Sequence, residues 1–479
     1  MKKESKNKQK SFSSISFKSF ISVVIVLVAI MAVSGILTLI IPQGSFARDD
    51  NGQIIAGTFT KGGVKGIEFW RIITAPFRVF FVDGSLTIIL ICIFLLIMSG
   101  VFNLLDKTNG IKVIMDRMVV KFGNKKKLVI CICVLFFMLF GSLFGLFEEL
   151  VTLLPFMIIF MISLGFDSMT GLGVCLLAAC FGFSAAITNP FSIGIASSLA
   201  GISTLKGVWL RIIFFAIVYI VVCVFLLRYT KKITNNPQAS LSYESDNVKR
   251  QSLDFSINEN SAQDNKTFKV YLTFFIVQML VLILTALIRP ISGLAVPILA
   301  VSFLVGGIIC GLIVCADKKK VFEYIGKGAV SMLPAVVLIA LASSVNLIMQ
   351  ESGILDTIMN AVINFLKDKN TFITILYIYA LILILQIFIG SASAKIFLVM
   401  PILLPVCSAV GVSSSLLILV YCIADGFSDI FFPTNPVLLI SLSMSNVSYG
   451  KWIKWTWKMQ LTILFISLLV LFLGVQIGF

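Results

Sequence analysis

The sequence predicts an all-α polytopic membrane protein made of two inverted repeats, with about nine transmembrane helices and two re-entrant hairpins. Of its 479 residues, 59% are hydrophobic and only 13% are charged, about half the charged fraction of a typical soluble domain. Apolar runs of about 20 residues or more, long enough to cross a bilayer, recur along the chain. Several residues of the first half also recur at a constant spacing in the second half.

The composition excludes several kinds of function. The chain contains no histidine, so it has no Ser-His or Cys-His nucleophile, no imidazole metal site and no imidazole proton switch. Its ten cysteines lie in apolar stretches without a C-x-x-C pair, which argues against a disulfide framework and a zinc site. The net charge of +16 is explained by basic cytoplasmic loops, so nucleic acid is not expected as a partner.

The apolar runs divide the chain into five parts. Phe20–Ile41 has 22 residues, too long for a signal-peptide core, and no small-residue cleavage site follows it, so we predict a retained anchor helix. Thr230–Phe268 is rich in Asn, Ser and Gln and lacks periodicity, which is typical of a flexible linker. The predicted parts are the anchor helix with an interfacial segment (residues 1–83), the first repeat (84–229), the cytoplasmic linker (230–268), connecting helices (269–328) and the second repeat (329–479).

The internal repeat sets the topology. A shift of 246 residues places Pro155 on Pro401, and Thr188-Asn189-Pro190 on Thr434-Asn435-Pro436. The second repeat begins five spans after the first, an odd number, so it is inverted. With the N-terminus in the cytoplasm and the C-terminus outside, 27 Lys and Arg lie on the cytoplasmic side and ten outside, in agreement with the positive-inside rule. Inverted repeats with broken helices are typical of secondary transporters.

Two apolar runs, Leu128–Leu164 and Thr371–Val410, are predicted to be hairpins that enter the bilayer and return to their own side. Each is interrupted by small and ionisable residues, in the segments GSLFGLFEE and GSASAK. Charged groups inside a bilayer are costly and usually functional. The alternative is that each run forms two ordinary spans, with the acidic pair at the far surface. The candidate substrate-binding residues of the tips are Gly145, Glu148, Glu149, Ser391, Ser393 and Lys395.

The two Thr-Asn-Pro triplets are predicted to break their helices inside the membrane. Proline removes a backbone hydrogen bond and clashes with the preceding turn, and the broken ends expose helix termini that attract ions and carboxylates. A plain proline kink is the simpler interpretation of one triplet, but its duplication favours a binding site. The candidate substrate-binding residues are Ser184, Thr188, Asn189, Thr434 and Asn435, and the helix breaks are Pro190 and Pro436.

Asp425 and Asp429 lie four residues apart in ADGFSD, and therefore on one face of a helix. Two carboxylates on one face within a span suggest coupling to a cation or proton, or recognition of a cationic group. We assign ion coupling to them together with Asn189 and Asn435. Alternatively, one carboxylate pairs with Lys395, which would not exclude a function.

The chain resembles the YfcC-like branch of the C4-dicarboxylate anaerobic carrier (DcuC-type) family, in the ion transporter superfamily. The resemblance rests on GFDSMTGLGV, FGFSAAITNPFSIGIASSLAG, GSASAK, ADGFSD and YGKWIKW. It implies a homodimeric scaffold, an elevator-type transport domain and a substrate and ion region at 145–149, 184–190, 391–395 and 425–435. One departure is Asp429, where the family pattern more often has Asn. The added negative charge argues against a simple dicarboxylate substrate.

These observations predict a secondary active transporter, ion-coupled or an exchanger, that moves a small amino acid or carboxylate across the bacterial inner membrane by alternating access. Glu148, Glu149, Asp425 and Asp429 against Lys395 give a formal charge of −3, which favours basic amino acid exchange such as arginine for ornithine. A C4-dicarboxylate or other organic anion symporter is the alternative, and it would need protons or cations bound alongside. A membrane-embedded enzyme is a remote alternative, because no GxGD motif is present. No cofactor or transition metal is expected; a sodium ion or a proton is the expected coupling ion.

Overall fold

The chain is almost entirely helical, as predicted. The computed structural model describes residues 17–48, 55, 57–82, 85–114, 117, 123–252, 262–287, 294–366 and 369–479. Besides the helices, Gly44–Ser45 pairs with Thr60–Lys61 in a short antiparallel ladder. The α-helices are α1 (Phe17–Ile40), α2 (Phe69–Arg78), α3 (Ser85–Lys107), α4 (Lys126–Leu139), α5 (Leu154–Ser163), α6 (Ser168–Leu172), α7 (Ala178–Ser184), α8 (Ile195–Leu199), α9 (Val208–Asn235), α10 (Tyr243–Ser252), α11 (Ala262–Leu287), α12 (Ala295–Val314), α13 (Lys319–Ser331), α14 (Leu333–Glu351), α15 (Ile354–Leu366), α16 (Thr371–Gln386), α17 (Ala392–Ala409), α18 (Ser414–Ser428), α19 (Pro436–Ser445) and α20 (Tyr449–Gln476).

Within the described ranges, eight helices are long and apolar enough to cross a bilayer. Large apolar side chains face outward on them; Ile25 and Ile36 of α1, for example, are 62% and 55% exposed. A surface of this kind suits hydrocarbon, where backbone polar groups must be satisfied within each helix. The eight candidate spans are Val23–Ile40, Ile88–Lys107, Lys126–Phe144, Val208–Asn235, Gln263–Thr285, Pro297–Val314, Lys319–Glu351 and Tyr449–Gln476.

The eight candidate spans include seven of the nine that the sequence predicts. The eighth, Lys126–Phe144, is the first arm of the first predicted hairpin. The other two predicted spans correspond to two helices that are interrupted near their middle, 168–199 and 414–445. Each interrupted helix contains a Thr-Asn-Pro triplet at the interruption.

Both predicted hairpins return to the end from which they start. In the first, the Lys126 ammonium at the start of α4 lies 5.9 Å from the ring centroid of Phe166, just after α5. In the second, the Thr371 hydroxyl at the start of α16 donates to the carbonyl of Val410, just after α17 (3.1 Å). Residues 126–166 and 371–410 are called the first and second hairpin below.

The two hairpins open at opposite ends of the molecule. The base of the first contacts α10, where Arg250 donates to the Phe166 carbonyl (2.6 Å). The base of the second lies beside the last residue, Phe479, whose ring packs on Trp209 at the start of α9 (5.7 Å). Helix α9 connects these two ends; its 28 residues correspond to about 42 Å.

The prediction of a flexible linker at Thr230–Phe268 is wrong for residues 230–252 and for residues 262–268, which begin α11; residues 253–261 of the predicted linker lie outside the described residues. Helix α9 continues to Asn235, a 3₁₀ turn follows, and α10 ends at Ser252. Two charged residues of α10, Asp246 and Lys249, are buried, with 1% and 7% exposed. The polar sequence is ordered because its side chains bind backbone groups and side chains of the membrane domain.

The contacts of α10 lie at the ends of two other helices. The Asp246 carboxylate accepts from the backbone nitrogen of Ser168 (2.8 Å) and from its hydroxyl, at the start of α6. The Lys249 ammonium donates to the Ser445 carbonyl at the end of α19 (2.9 Å). A carboxylate at a helix N-terminus and an ammonium at a C-terminus both match the helix dipole.

Candidate functional site

The first triplet begins a new helix. The helix containing Ser184 ends there, and the chain resumes a helical course only at Pro190. The Asn189 side-chain oxygen accepts from the backbone nitrogens of Phe191 (2.9 Å) and Ser192 (3.2 Å). Asparagine is a favoured N-cap residue, and proline fits the first helical position because its missing N–H needs no partner there. The triplet is therefore a break followed by a capped start, rather than a kink.

The tip of the first hairpin holds this break. The Ser142 carbonyl accepts from the backbone nitrogens of Ile187 (3.0 Å), Thr188 (3.3 Å) and Asn189 (3.1 Å). The Thr188 hydroxyl donates to the carbonyl of Leu143 (3.0 Å). These bonds satisfy the backbone that the helix break leaves open.

Gly145 is required at this tip for two reasons. Its φ is +70°, a region that favours glycine. A Cβ atom there would also overlap the side-chain oxygen of Asn189. The glycine thus lets the hairpin tip touch the residue that caps the next helix.

The second repeat has the same construction. The Asn435 side-chain oxygen accepts from the backbone nitrogen of Val437 (2.9 Å), which caps α19. The Thr434 hydroxyl donates to the carbonyl of Gln386 (3.2 Å) in the second hairpin, as Thr188 does to the first. Pro436 is the first residue of α19, and the Ser391 hydroxyl caps α17 through the nitrogen of Ala394 (3.4 Å). The duplicated triplets therefore have duplicated contacts.

The charged residues meet between the second hairpin and α18. Lys395 and Asp425 form an ion pair in which both residues are fully buried. Of the two aspartates, it is Asp425 that pairs with the lysine. Asp429 is held by two amides: its Oδ1 accepts from Nε2 of Gln386 (2.6 Å) and Nδ2 of Asn435 (2.8 Å). Lys395, Asp425 and Asp429 are called the charged cluster below.

The two broken helices meet where α7 crosses α18. The Ser184 hydroxyl donates to the carbonyl of Ile423 (2.9 Å), and the Cys180 thiol donates to that of Gly426 (2.9 Å). A Cβ atom on Gly426 would overlap the backbone of Ser184. Because of this close approach, the end of the first broken helix lies beside Asp425.

Several buried polar atoms near the breaks have no hydrogen-bond partner in the part of the chain that the structure describes. They are Nδ2 of Asn189, Oγ of Ser192, Oε1 of Gln386 and Oδ2 of Asp425, while Nζ of Lys395 and Oδ1 of Asp425 have no partner besides each other. Leaving a buried polar group without a hydrogen bond costs on the order of 1–3 kcal/mol, and more for a charged group. A ligand that supplied the missing bonds would recover part of this cost, so these atoms mark the candidate binding site.

Glu148 does not lie with the charged cluster. It lines an apolar cavity beside α3 and α19, with Ile91, Phe94, Leu95, Met98, Val151, Val437, Ile440 and Met444. Glu149 begins a 3₁₀ turn and Ser393 lies in α17, but their side chains are outside the described set. The structure therefore does not place Glu148 in the grouping that gave a formal charge of −3, and the cluster of two carboxylates and one ammonium has a formal charge of −1.

Sequence reasoning missed two residues that build the site. Ser142 supplies the carbonyl that binds the first break, and Gln386 binds both Asp429 and Thr434. Gln386 is a lone polar residue in the apolar run LILILQIFIG, and such a residue in a span usually has a partner. That signal could have identified it.

The helices and the site define a multi-pass membrane transporter, and the comparison with known families agrees. The model of the DcuC family, the C4-dicarboxylate anaerobic carriers, matches residues 19–476. The chain belongs to this family, and it is a membrane transporter rather than an enzyme. A small-molecule substrate and the lipid bilayer are therefore its partners.

Two curated relatives are similar over most of the chain. One is an uncharacterised protein of Haemophilus influenzae, 26% identical over 83% of this chain and 77% of the relative. The other is the putative basic amino acid antiporter YfcC of Escherichia coli, 26% identical over 81% of this chain and 77% of the relative.

Two solved structures are similar at lower levels. The YdaH transporter of Alcanivorax borkumensis is 16% identical, with a TM-score of 0.43 over 96% of this chain and 98% of that one. MtrF of Neisseria gonorrhoeae, from a class described as antimetabolite efflux pumps, is 17% identical, with a TM-score of 0.41 over 94% and 93%.

Proposed function

We propose that this chain is a secondary active transporter of the bacterial inner membrane that exchanges basic amino acids, such as arginine for ornithine, by alternating access. The observation that carries the proposal is the buried charged cluster, in which two aspartates face one lysine. The cluster has one negative charge in excess, so a substrate with one net positive charge neutralises it. The name of the Escherichia coli relative points to the same substrate class.

The charge of the cluster favours exchange over net transport. With both carboxylates ionised, the empty site carries −1 and the site loaded with arginine carries zero. Uncompensated charge within the membrane is costly, so the loaded site reorients more easily than the empty one. A carrier that reorients only when loaded is an exchanger.

The unpartnered donors at the first break suit the other end of an amino acid. Nδ2 of Asn189 and Oγ of Ser192 are buried donors without acceptors in the described residues. They lie at the start of a helical segment, where the dipole favours an anion. In this arrangement the substrate carboxylate binds at the first break and its cationic side chain at the charged cluster.

We also propose that both hairpins are re-entrant and belong to a transport domain that moves like an elevator against a homodimeric scaffold. The tip of the first hairpin binds residues 187–189, and α8 continues beyond that level. The second tip binds Thr434 and is followed by α19 in the same way. Tips at the level of the breaks support entry to mid-membrane; the proposed topology has the N-terminus in the cytoplasm and the C-terminus outside.

A C4-dicarboxylate symporter is the second candidate, because the family name and the unpartnered donors of the first break both suit a carboxylate. A dianion would raise the charge of the loaded site to −3. It would therefore need several protons or sodium ions bound with it. For such a symporter we propose that Asp425 and Asp429, helped by Asn189 and Asn435, bind the coupling sodium ion or proton.

Counterflow in proteoliposomes tests the proposal. Vesicles loaded with ornithine should accumulate labelled arginine, and vesicles loaded with succinate should not accumulate labelled succinate. The control variant Glu323→Gln should show the same counterflow as the wild type, because the Glu323 carboxylate is exposed and pairs with Lys327 on the surface of α13. Saturable succinate counterflow without arginine counterflow would reject basic amino acid exchange in favour of the second candidate.

A further inference from the structure

The described residues contain two buried Lys–Asp pairs, and their surroundings differ. Lys249 and Asp246 of α10 form one of them (3.6 Å). Lys249 also donates to the Ser168 hydroxyl (2.8 Å) and the Ser445 carbonyl, and Asp246 accepts from Ser168 and from the Ser242 hydroxyl (2.6 Å). This is the arrangement expected of a structural pair, in which further hydrogen bonds compensate for desolvation.

The pair of Lys395 and Asp425 lacks this support. The ammonium of Lys395 and the two carboxylate oxygens of Asp425 have no hydrogen-bond partner among the residues described, although the two groups form an ion pair. Apart from each other, neither charged group has a hydrogen-bonding partner among the residues described. A buried ion pair without further hydrogen bonds contributes little to stability, because desolvation of the two charges is costly. This points to a role in binding.

Local structure does not favour the position of Lys395 either. Its backbone nitrogen donates to the carbonyl of Ser391 (3.1 Å), the residue that caps α17, so Lys395 lies in the first turn of that helix. The positive end of the helix dipole disfavours an ammonium there. The attraction of Asp425 therefore holds the side chain in place.

A second carboxylate lies one helical turn beyond Asp425. Asp429 directly follows α18 and keeps a helical conformation, so it lies on the same face as Asp425. The amides of Gln386 and Asn435 hold Asp429 in a fixed position. An ammonium that leaves Asp425 therefore has a second, fixed carboxylate one helical turn away.

We propose that Lys395 is a tethered counter-ion, which occupies the cation position at Asp425 in the empty transporter and moves toward Asp429 when the substrate's cationic group takes its place. The inference rests on the proposed function in assuming a cationic substrate. It explains why a site for one positively charged group of the substrate contains two carboxylates and one lysine. In the loaded site each carboxylate has its own cation, and in the empty site Lys395 prevents Asp425 from standing alone.

Binding of agmatine, which is arginine without its carboxylate, tests this role directly. Removing the competing ammonium in Lys395→Met should tighten agmatine binding at pH 8 by about tenfold, within the usual range of coupling between two ligands. Lys395→Arg should bind agmatine like the wild type, because it keeps the charge. Weaker agmatine binding by Lys395→Met would overturn the proposal. If arginine loses affinity in Lys395→Met while agmatine does not, Lys395 binds the substrate carboxylate instead, which also overturns it.

A second measurement does not depend on the substrate. Lys395→Ala leaves space for a small cation, so methylammonium chloride should raise its melting temperature above that in equal choline chloride, with no such difference in the wild type. If this variant is unstable, its yield of monodisperse protein after extraction in methylammonium is the readout. If methylammonium changes neither the melting temperature nor the yield of Lys395→Ala, the proposal that Lys395 is a tethered counter-ion is overturned. If methylammonium stabilises Lys395→Ala but neither the wild type nor any variant binds arginine or agmatine, the proposed substrate class is rejected. The cation position at Asp425 is then kept.

Discussion

Gly145 at the tip of the first hairpin lies directly against the side chain of Asn189, so that the hairpin leaves no room for a Cβ atom at this position. The same asparagine caps the helix that follows the break. A change at the tip is therefore transmitted to the break without any intermediate residue.

Gly145→Ala should reduce transport at least tenfold, because the methyl group displaces Asn189 and the positive φ adds strain of about 1 kcal/mol. Gly411→Ala is the matched control: its φ is +77°, but no atom lies within 4 Å of the added Cβ. The control should lose stability without losing transport, and counterflow and melting temperature of both variants measure this. Equal transport by the two variants would show that the contact with Asn189 is unimportant.

Asn435→Ala should abolish saturable uptake, because it removes both the cap of α19 and one of the two amides that bind Asp429. Asp425→Ala should do the same, because it removes the carboxylate at which the cationic group of the substrate is proposed to bind. Asn370→Ala is the control, since Asn370 caps α16 through Ile373 (2.9 Å) at the base of the hairpin. Uptake in proteoliposomes that is unaltered in both site variants would contradict our assignment of the site.

Helix α10 should dock more tightly as the pH rises toward 10.5, the ordinary pKa of a lysine ammonium. Burial lowers the pKa of the Lys249 ammonium from its ordinary value of 10.5. Between the lowered pKa and 10.5 the undocked helix binds more protons than the docked one, so docking becomes more favourable with increasing pH. Hydrogen exchange of residues 243–252, corrected for intrinsic rates, should therefore slow across this window.

Lys249→Met is the control for this pH dependence. Burial raises the pKa of Asp167, which lies beside the docked linker and accepts from Ser240 (2.6 Å). Asp167 is present in both proteins, so the difference between them isolates Lys249. The prediction would be contradicted if the hydrogen-exchange protection of residues 243–252 decreased with increasing pH in the wild type compared with Lys249→Met.

Single cysteines in a cysteine-free background test whether the hairpins are re-entrant. Cysteines that replace Glu148 and Gly390, near the two tips, should each react with a membrane-impermeant thiol reagent from the side of their own hairpin's base. A cysteine at Glu323, exposed on α13, reports on vesicle orientation. Labelling of both tips only from the opposite side would instead indicate full spans.

The hydrophobic runs and the duplicated triplets determine the helices, their breaks and the hairpins, because these depend on local chemistry. Asn189 and Asn435 cap the helices that start at the prolines that follow them, and none of these three bonds spans more than three residues. The sequence could therefore identify both breaks and the aspartate pair before any packing was known. The ion pair of Lys395 remained one of two alternatives at that stage.

Only the tertiary structure decided which polar groups meet. Gln386 binds Asp429 across 43 residues, and Asp246 of the supposed linker binds Ser168 across 78. Glu148 faces α3 and α19, although its position beside Gly145 suggested the charged cluster. A residue's neighbours in the chain fix its helix, but the rotation of that helix against others fixes its partners. That rotation depends on the packing of many side chains at once.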